Sequence, residues 1–320
     1  MDIFLFSVTF TNIKMIIIMK IRTVLAFAFA FLLLCIGMNA QVSTNVFTCG
    51  QDNDRICRVH PGSIHHLGSM DKNLLLLEDE ENNSDTTRVT RFGKAFDSTF
   101  SLEDGVWSMT AQGRVWMISL EAEGALSLNL VFNHVSLPTG AEVYVTNNDR
   151  SIVFGPVTAD DLNDRDKFLS DIIPGSQVNV YLFEPTEKMG CSSLEISKVV
   201  YGYNASAIMN LTSYPPFDGD VVLYPLYEFY TDGIGTLILA DGTHSCSGAL
   251  VMTTDNSFSP YFLTSYEGAR AGKSFQERKD DIENGMFKFH VRRTLNNGAL
   301  TQGYIYYGAT IRANIIVTGM

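Results

Sequence analysis

A chain of 320 residues is long enough for about two domains, each with a core of its own. Its formal net charge is −12 and it contains no basic run, which argues against a nucleic-acid phosphate backbone as a partner. The acidity says little more, because most of these carboxylates are expected on a solvated surface.

The first stretch reads as an address. "MKIRTVLAFAFAFLLLCIGMNAQ" has a basic start at Lys20 and Arg22, an apolar core from Val24 to Ile36, and a cleavage-like "MNA" before Gln41. That core is short of the about 20 residues that span a bilayer. The reading is a signal peptide over residues 1–40 with Met19 as the better start, residues 1–18 being an upstream extension. Cleavage after Ala40 would export the protein and leave no stable membrane span; a retained anchor is the alternative. Leu34 before Cys35 is not the small residue that a lipid-attachment signal requires.

Export permits disulfides. Four cysteines follow the cleavage point, namely Cys49, Cys57, Cys191 and Cys246, and they allow three pairings. Cys49 and Cys57 are near enough to close a small loop. Their C-x7-C spacing is not a zinc pattern, and His60, His65 and His66 do not complete a ligand set. No metal or other cofactor is implied.

Residues 41–89 read as a polar N-terminal segment with few apolar anchors, and Leu74–Thr87 as a solvent-exposed link. From residue 90 to 203 the texture is strand-like. "RVWMISLEA", "ALSLNLVFNHV", "AEVYVTN", "SIVFGPV", "QVNVYLFEP" and "LEISKVVYGY" are short runs joined by turn residues. Alternation is plain at Leu126, Leu128 and Leu130, and at Val178, Val180 and Leu182. These features predict an antiparallel β-sandwich with Trp107 and Trp116 in its core and one helical turn at "DDLNDRDKF". "NASAIMNLTSYPPFDGD" reads as a polar bridge. Beyond it, over 215–320, "GIGTLILADG", "CSGALVM", "YFLTSY", "GMFKFHV", "GYIYYGATIRA" and "NIIVTGM" predict a small antiparallel barrel. "KSFQERKDDIEN" is expected to be a charged surface loop or short helix. The fold class is therefore all-β.

One run carries a resemblance. "CSGALVMTTDNSFSPYFLTSYEG", residues 246–268, is similar to the start of the catalytic domain of secreted bacterial trypsin-like serine proteases of the lysyl endopeptidase type. That pattern runs Cys-Thr-Gly, two aliphatic residues, a polar turn, then Pro-Tyr-Phe-Leu-Thr-Ala-x-His-Cys. Cys246, Gly248 and Pro260 to Thr264 match it. The family's histidine is the general base and its next cysteine bonds back to the first; here those positions carry Glu267 and Gly268. "GATIRANIIVTGM" resembles the strand and loop that end in the aspartate orienting the base, with Gly319 at that position. The sandwich, through "GRVWMISLEAEGALSLNLVFNHVSLPTGAEVYVTN" and "PGSQVNVYLFEP", resembles the family's propeptide, so the likeness covers about residues 90–320. It implies a propeptide-like sandwich followed by one lobe of a chymotrypsin-like barrel.

A serine protease needs a nucleophile, a base, a group that fixes the base, and oxyanion donors. No Gly-Asp-Ser-Gly loop stands in these 320 residues, and a second barrel that would carry it is not expected within them. Glu267, with an unperturbed pKa of about 4.3, is a poor base for a serine hydroxyl, and Gly319 has no side chain with which to orient one. His244 and His290 read more simply as surface or packing residues than as a relocated base. Asp160–Asp161 and Asp280–Asp281 read as solvated rather than as a glycosidase pair, and Ser247 as a strand residue. The expected protein is an exported, catalytically inactive homologue that binds a peptide or another protein. The truncated front of an active endopeptidase and a degenerate structural fragment are the alternatives.

Overall fold

Period-2 runs fold into sheets wherever each face finds a cover. The computed structural model describes residues 42–46, 56, 59, 62, 64–82, 91–212, 221–251, 260–265, 268–269, 273–292 and 303–312. In chain order these form β1 (Thr44–Val46), β2 (Ile64–Ser69), α1 (Lys72–Asn82), β3 (Gly93–Phe96), β4 (Val106–Thr110), β5 (Gly113–Glu123) and β6 (Ser127–Ser136). Then come β7 (Glu142–Asn147), β8 (Ile152–Val157), α2 (Ala159–Leu162), β9 (Phe168–Leu169), β10 (Ile173–Pro174), β11 (Gln177–Pro185) and β12 (Ser193–Gly202). The last elements are α3 (Ala205–Thr212), α4 (Pro225–Thr231), β13 (Ile234–Ile238), β14 (Ser245–Val251), β15 (Tyr261–Thr264), α5 (Phe275–Glu283), β16 (Met286–Phe289) and β17 (Tyr304–Tyr307).

The class is all-β. A first sheet runs β1-β8-β7-β11-β5-β2 with β4 also on β5, and a second runs β10-β6-β12-β3 with β9 on β6. A third runs β15-β14-β13-β16-β17. Among the described residues all strand pairings are antiparallel except β2 on β5, which is parallel. The third sheet is open, with β15 and β17 as its edges, and no barrel closes among the described residues.

The first two sheets sandwich one apolar cluster. Trp116, Ile118 and Leu120 of β5, with Val178, Val180 and Leu182 of β11, meet Leu128, Leu130 and Phe132 of β6. The register pairs Val180 with both Ile118 and Val145, so one slip would turn three strands' apolar rows outward. Each such side chain contributes roughly 1.5–3 kcal/mol through burial. Trp116 donates its indole N–H to the Leu102 carbonyl at 3.0 Å, so its one polar atom is satisfied.

The opposite face of the first sheet is also covered. Val115, Met117, Tyr144, Val153, Tyr181 and Phe183 form a second cluster with Ile56 and Val59. The polar N-terminal segment therefore supplies core residues after all, Val42, Ile56 and Val59, all fully or nearly buried. The expected exposed link is likewise a helix over its described part. α1 buries Leu75 and aims Glu78 and Asp79 at Arg91, at 3.1 and 2.7 Å, while the Tyr203 hydroxyl donates to Asp79 at 2.6 Å. Leucines and glutamates, which carry no branch at Cβ, favour helix, and the arginine that fixes this one lies beyond the link. The polar bridge also begins as a helix, α3, with Ala207 and Ile208 buried. α2 is the expected helical turn; its Asp161 caps Thr158, taking both the backbone N–H and the hydroxyl.

Val42 to Met320 form one compact unit. Ile238, Met286, Ile305 and Tyr307 of the third-sheet region belong to the sandwich's apolar cluster. Polar contacts set the alignment. The Lys288 ammonium meets the Asp171 carboxylate at 2.5 Å, and the buried Tyr307 hydroxyl donates to the Leu169 carbonyl at 2.9 Å. Asn129 donates to the Gly242 carbonyl at 3.0 Å. Gly242, at φ +75°, tips the β13–β14 turn so closely onto β12 that a Cβ there would lie 2.9 Å from a Val200 methyl. The N-terminal strand ties the two parts together: β1 pairs with β8, while the Ile305 N–H donates to the Val42 carbonyl at 3.1 Å.

Glu184 in β11 is the sandwich's most enclosed carboxylate, with no exposed side-chain surface, and the Arg114 guanidinium donates to it at 2.7 Å. The backbone N–H groups of Gly190 and Ser192 add bonds of 2.9 Å each. Burial alone would raise its pKa, but the Gly190 and Ser192 donors and Arg114 outweigh it and hold the carboxyl below its ordinary value. Its contribution to stability is therefore complete above the unfolded-state pKa of about 4.3 and is lost as pH falls through the lower folded value. Glu184→Ala should cost about 2 kcal/mol at neutral pH, since it leaves two backbone N–H groups and the partly exposed Arg114 guanidinium without their acceptor. Chemical denaturation from pH 7 to pH 2 should show the gap between variant and parent closing below about pH 4; a pH-independent gap would refute this account of Glu184.

Candidate functional site

The run that carries the protease resemblance forms two adjacent strands of the third sheet. β14 and β15 pair in the register Gly248–Thr264, Ala249–Leu263, Leu250–Phe262 and Val251–Tyr261. Gly248 is glycine for want of space. A Cβ there would lie 2.4 Å from the Phe262 ring, which crosses the strand at that point. Phe262 in turn packs edge-on to Phe287 and Phe289, with ring centroids 5.2 and 5.7 Å away. These rings, with Leu237, Leu239 and Ile282, form the small apolar cluster against which Cys246 lies.

Cys246 is a free thiol, and so is the exposed Cys191; Cys49 and Cys57 lie outside the described residues. Burial pushes the Cys246 thiol up, partly offset by the Thr264 hydroxyl at 3.5 Å. Thr264 also donates to the Ser247 carbonyl at 2.7 Å, which fixes the end of β15. Past it the chain bends back: the Gly268 N–H donates to the Ser265 hydroxyl at 2.9 Å and the Ala269 N–H to the Ser265 carbonyl at 3.1 Å. This bend brings Gly268 over Cys246. A Cβ built on Gly268 would lie 2.9 Å from the Cys246 Cβ and 3.9 Å from its sulfur. Glu267 and Gly319 lie outside the described residues.

No family model matches the chain, and no solved structure matches it. The chemistry has to be read from the side chains.

Both histidines of the third-sheet region face carboxylates. His244 Nδ1 lies 3.1 Å from Asp241 and 2.8 Å from the Thr243 hydroxyl. An Asp–His–hydroxyl relay needs the acid and the hydroxyl on opposite ring nitrogens. Here both meet Nδ1, so the cluster orients an imidazole without activating Thr243. Burial would raise the Asp241 pKa, but His244 and Arg278 outweigh it and hold the carboxylate well below its usual range. Arg278 is only 1% exposed and is clamped between Asp241 and Asp281. The "QERKDD" stretch, expected as charged surface, thus contributes a buried guanidinium to the turn that seats on the sandwich. Its helix α5 starts with a capping box, Ser274 with Glu277. His290 Nδ1 meets Asp232 at 2.8 Å and stacks on Tyr304 at 5.3 Å.

The remaining candidates are also held structurally. Asp280 faces Lys167 at 3.5 Å and takes an Asn284 amide N–H at 3.0 Å. His65 bonds the Asp104 carbonyl at 3.0 Å and His66 meets Glu121 at 2.8 Å; His60 lies outside the described residues. Among the described residues no group of three or more His, Cys, Asp or Glu side chains could hold a metal, and no helix is long and apolar enough to cross a membrane.

The approach of Gly268 to Cys246 gives a direct test of the register. Disulfides hold their Cβ atoms about 3.8 Å apart, so Gly268→Cys needs the bend to open by just under 1 Å and the Ser265 hydroxyl, 2.6 Å from the new Cβ, to rotate away. The bridge would close a loop of about 20 residues, worth roughly 3 kcal/mol before strain. Non-reducing peptide mapping should find Cys246 joined to the new cysteine, with a raised melting temperature. A new cysteine that stays reduced would place the bend elsewhere.

Proposed function

We propose that this chain is an exported, non-catalytic relative of trypsin-like serine proteases of the lysyl endopeptidase type, and that it acts by binding an extended polypeptide segment rather than by cutting one. The observation that supports the register is the approach of Gly268 to Cys246. In the resembling family the corresponding two positions are cysteines bonded to each other, and the residue just before the second is the general base. That register assigns Glu267 to the base position. A glutamate of ordinary acidity accepts a proton from a serine hydroxyl too weakly at neutral pH to replace an imidazole.

Binding is favoured by what the third sheet leaves open. Among the described residues β15 is an edge strand; Tyr261 to Thr264 are uncharged and include no lysine, and Pro260 stands just before the strand rather than within it. Leu263 is 65% and Ile234 54% exposed. Such an edge suits an added antiparallel strand, whose main chain supplies affinity while alternate side chains meet the apolar row. The partner class is an extended, apolar-rich segment of another protein.

The purified chain should leave peptide substrates intact and take no label from a fluorophosphonate probe, before or after Glu267→His. Amide exchange along Tyr261–Thr264 should slow when an extended apolar peptide is added, and Leu263→Asp should abolish that protection without unfolding the sandwich. Stoichiometric serine labelling would end the non-catalytic reading, and unchanged exchange would end the proposed edge.

A further inference from the structure

The contact between Lys288 and Asp171 is the arrangement in the molecule that most resembles a reacting pair. The two side chains come from β16 and from the short loop between β9 and β10, 117 residues apart in sequence. Lys288 is 12% and Asp171 4% exposed at the side chain, and Nζ stands 2.5 Å from Oδ2. Several neighbours in the ladder and along the chain are buried. Ile305, next to Lys288 across the β16–β17 ladder, is buried, as are Val42, Leu169 and Tyr307.

Every atom of the carboxyl group is held. Oδ1 accepts the Ile172 backbone N–H at 2.9 Å. Oδ2 accepts the Thr44 hydroxyl at 2.5 Å beside the lysine nitrogen. One oxygen thus has a fixed donor of the kind that stabilises a developing oxyanion. The other has a hydroxyl placed to accompany it as it leaves. Nζ donates directly to Oδ2, so the proton that separates the ion pair from an amine and a carboxylic acid lies between the two reacting groups.

We propose that Lys288 and Asp171 condense to an intramolecular amide that staples the third sheet to the sandwich. The neutral amine adds its lone pair to Cγ of the protonated carboxyl, forming the C–N bond while the charge on Oδ1 rests against the Ile172 N–H. The Cγ–Oδ2 bond then breaks. Thr44 gives its proton to Oδ2 and takes one back from the nitrogen, so Oδ2 leaves as water and the product amide keeps a single N–H. No oxidant, reductant or further reactant is consumed. The held geometry turns an otherwise slow condensation into an intramolecular step.

The test is peptide mapping of the purified full chain after denaturation. The expected product is a branched peptide joining residues 171 and 288, lighter than its two linear parts by one water, about 18 Da. On denaturing gels the protein should run ahead of Lys288→Arg, because the amide closes a 117-residue loop. Lys288→Arg keeps the positive charge and should yield only linear peptides. Asp171→Asn should form the same branched peptide, losing ammonia instead of water. Linear peptides alone from the parent chain would overturn the proposal, as would a water loss that persists in Lys288→Arg.

Discussion

Apolar contact between two sheets has no direction of its own; it rewards any docking that removes surface from water. What makes one docking win between the sandwich and the third sheet is the need to bury charges in pairs. A carboxylate or ammonium taken out of water costs several kcal/mol unless an opposite charge meets it in good geometry. Lys288 has such a partner only if Asp171 of the β9–β10 loop stands opposite. Arg278, held between Asp241 and Asp281, instead fixes helix α5 to the β13–β14 turn within the third-sheet region. Sliding the third sheet by one residue would keep much of the apolar area and strand the Lys288 and Asp171 charges. That pair therefore acts as a register device, and Met286, Ile305 and Tyr307 supply the attraction that the device directs.

Much of the sandwich was legible because its strands announce themselves. β11 runs over Gln177–Pro185, the run expected from the sequence, and Val178, Val180 and Leu182 all lie in the core. Tyr181 and Phe183 on the other face were equally apolar, but what covers them is Ile56 and Val59, more than a hundred residues earlier. A window sliding along the chain sees the uncovered face and not its cover. Helix α1 was missed for a related reason. A leucine run followed by acidic residues looks solvated until Arg91, Lys94 and Tyr203 are placed beside it. Arg278 is the sharpest case, since one buried guanidinium in a stretch of six charged or polar residues leaves no local signature.

The candidate site divides in the same way. The motif residues Cys246, Gly248 and Pro260–Thr264 could be picked out by their resemblance to a protease pattern. The reasons for two of the glycines could not: Gly248 makes room for the Phe262 ring, and Gly268 sits where any side chain would press on Cys246. Two carboxylate–imidazole pairs, Asp241–His244 and Asp232–His290, also emerge only in three dimensions. In the first, Thr243 shares the nitrogen that Asp241 already holds, which separates a well-oriented imidazole from a reactive one.

The chain has only two tryptophans, and they are cross-strand partners, Trp107 on β4 opposite Trp116 on β5. Trp116 is sealed in the core, while Trp107 is half-buried with the Arg114 guanidinium 3.8 Å above its ring. Indole emission from this protein therefore reports on the sandwich alone, with one chromophore shielded and the other tuned by a neighbouring cation. The third sheet is dark in that channel; its tyrosines are Tyr261 on β15 and Tyr304, Tyr306 and Tyr307 on β17. Because Tyr144, Tyr181, Tyr201 and Tyr203 lie in the sandwich, tyrosine emission mixes both halves, while tryptophan emission times the loosening of the sandwich alone within one unmodified chain.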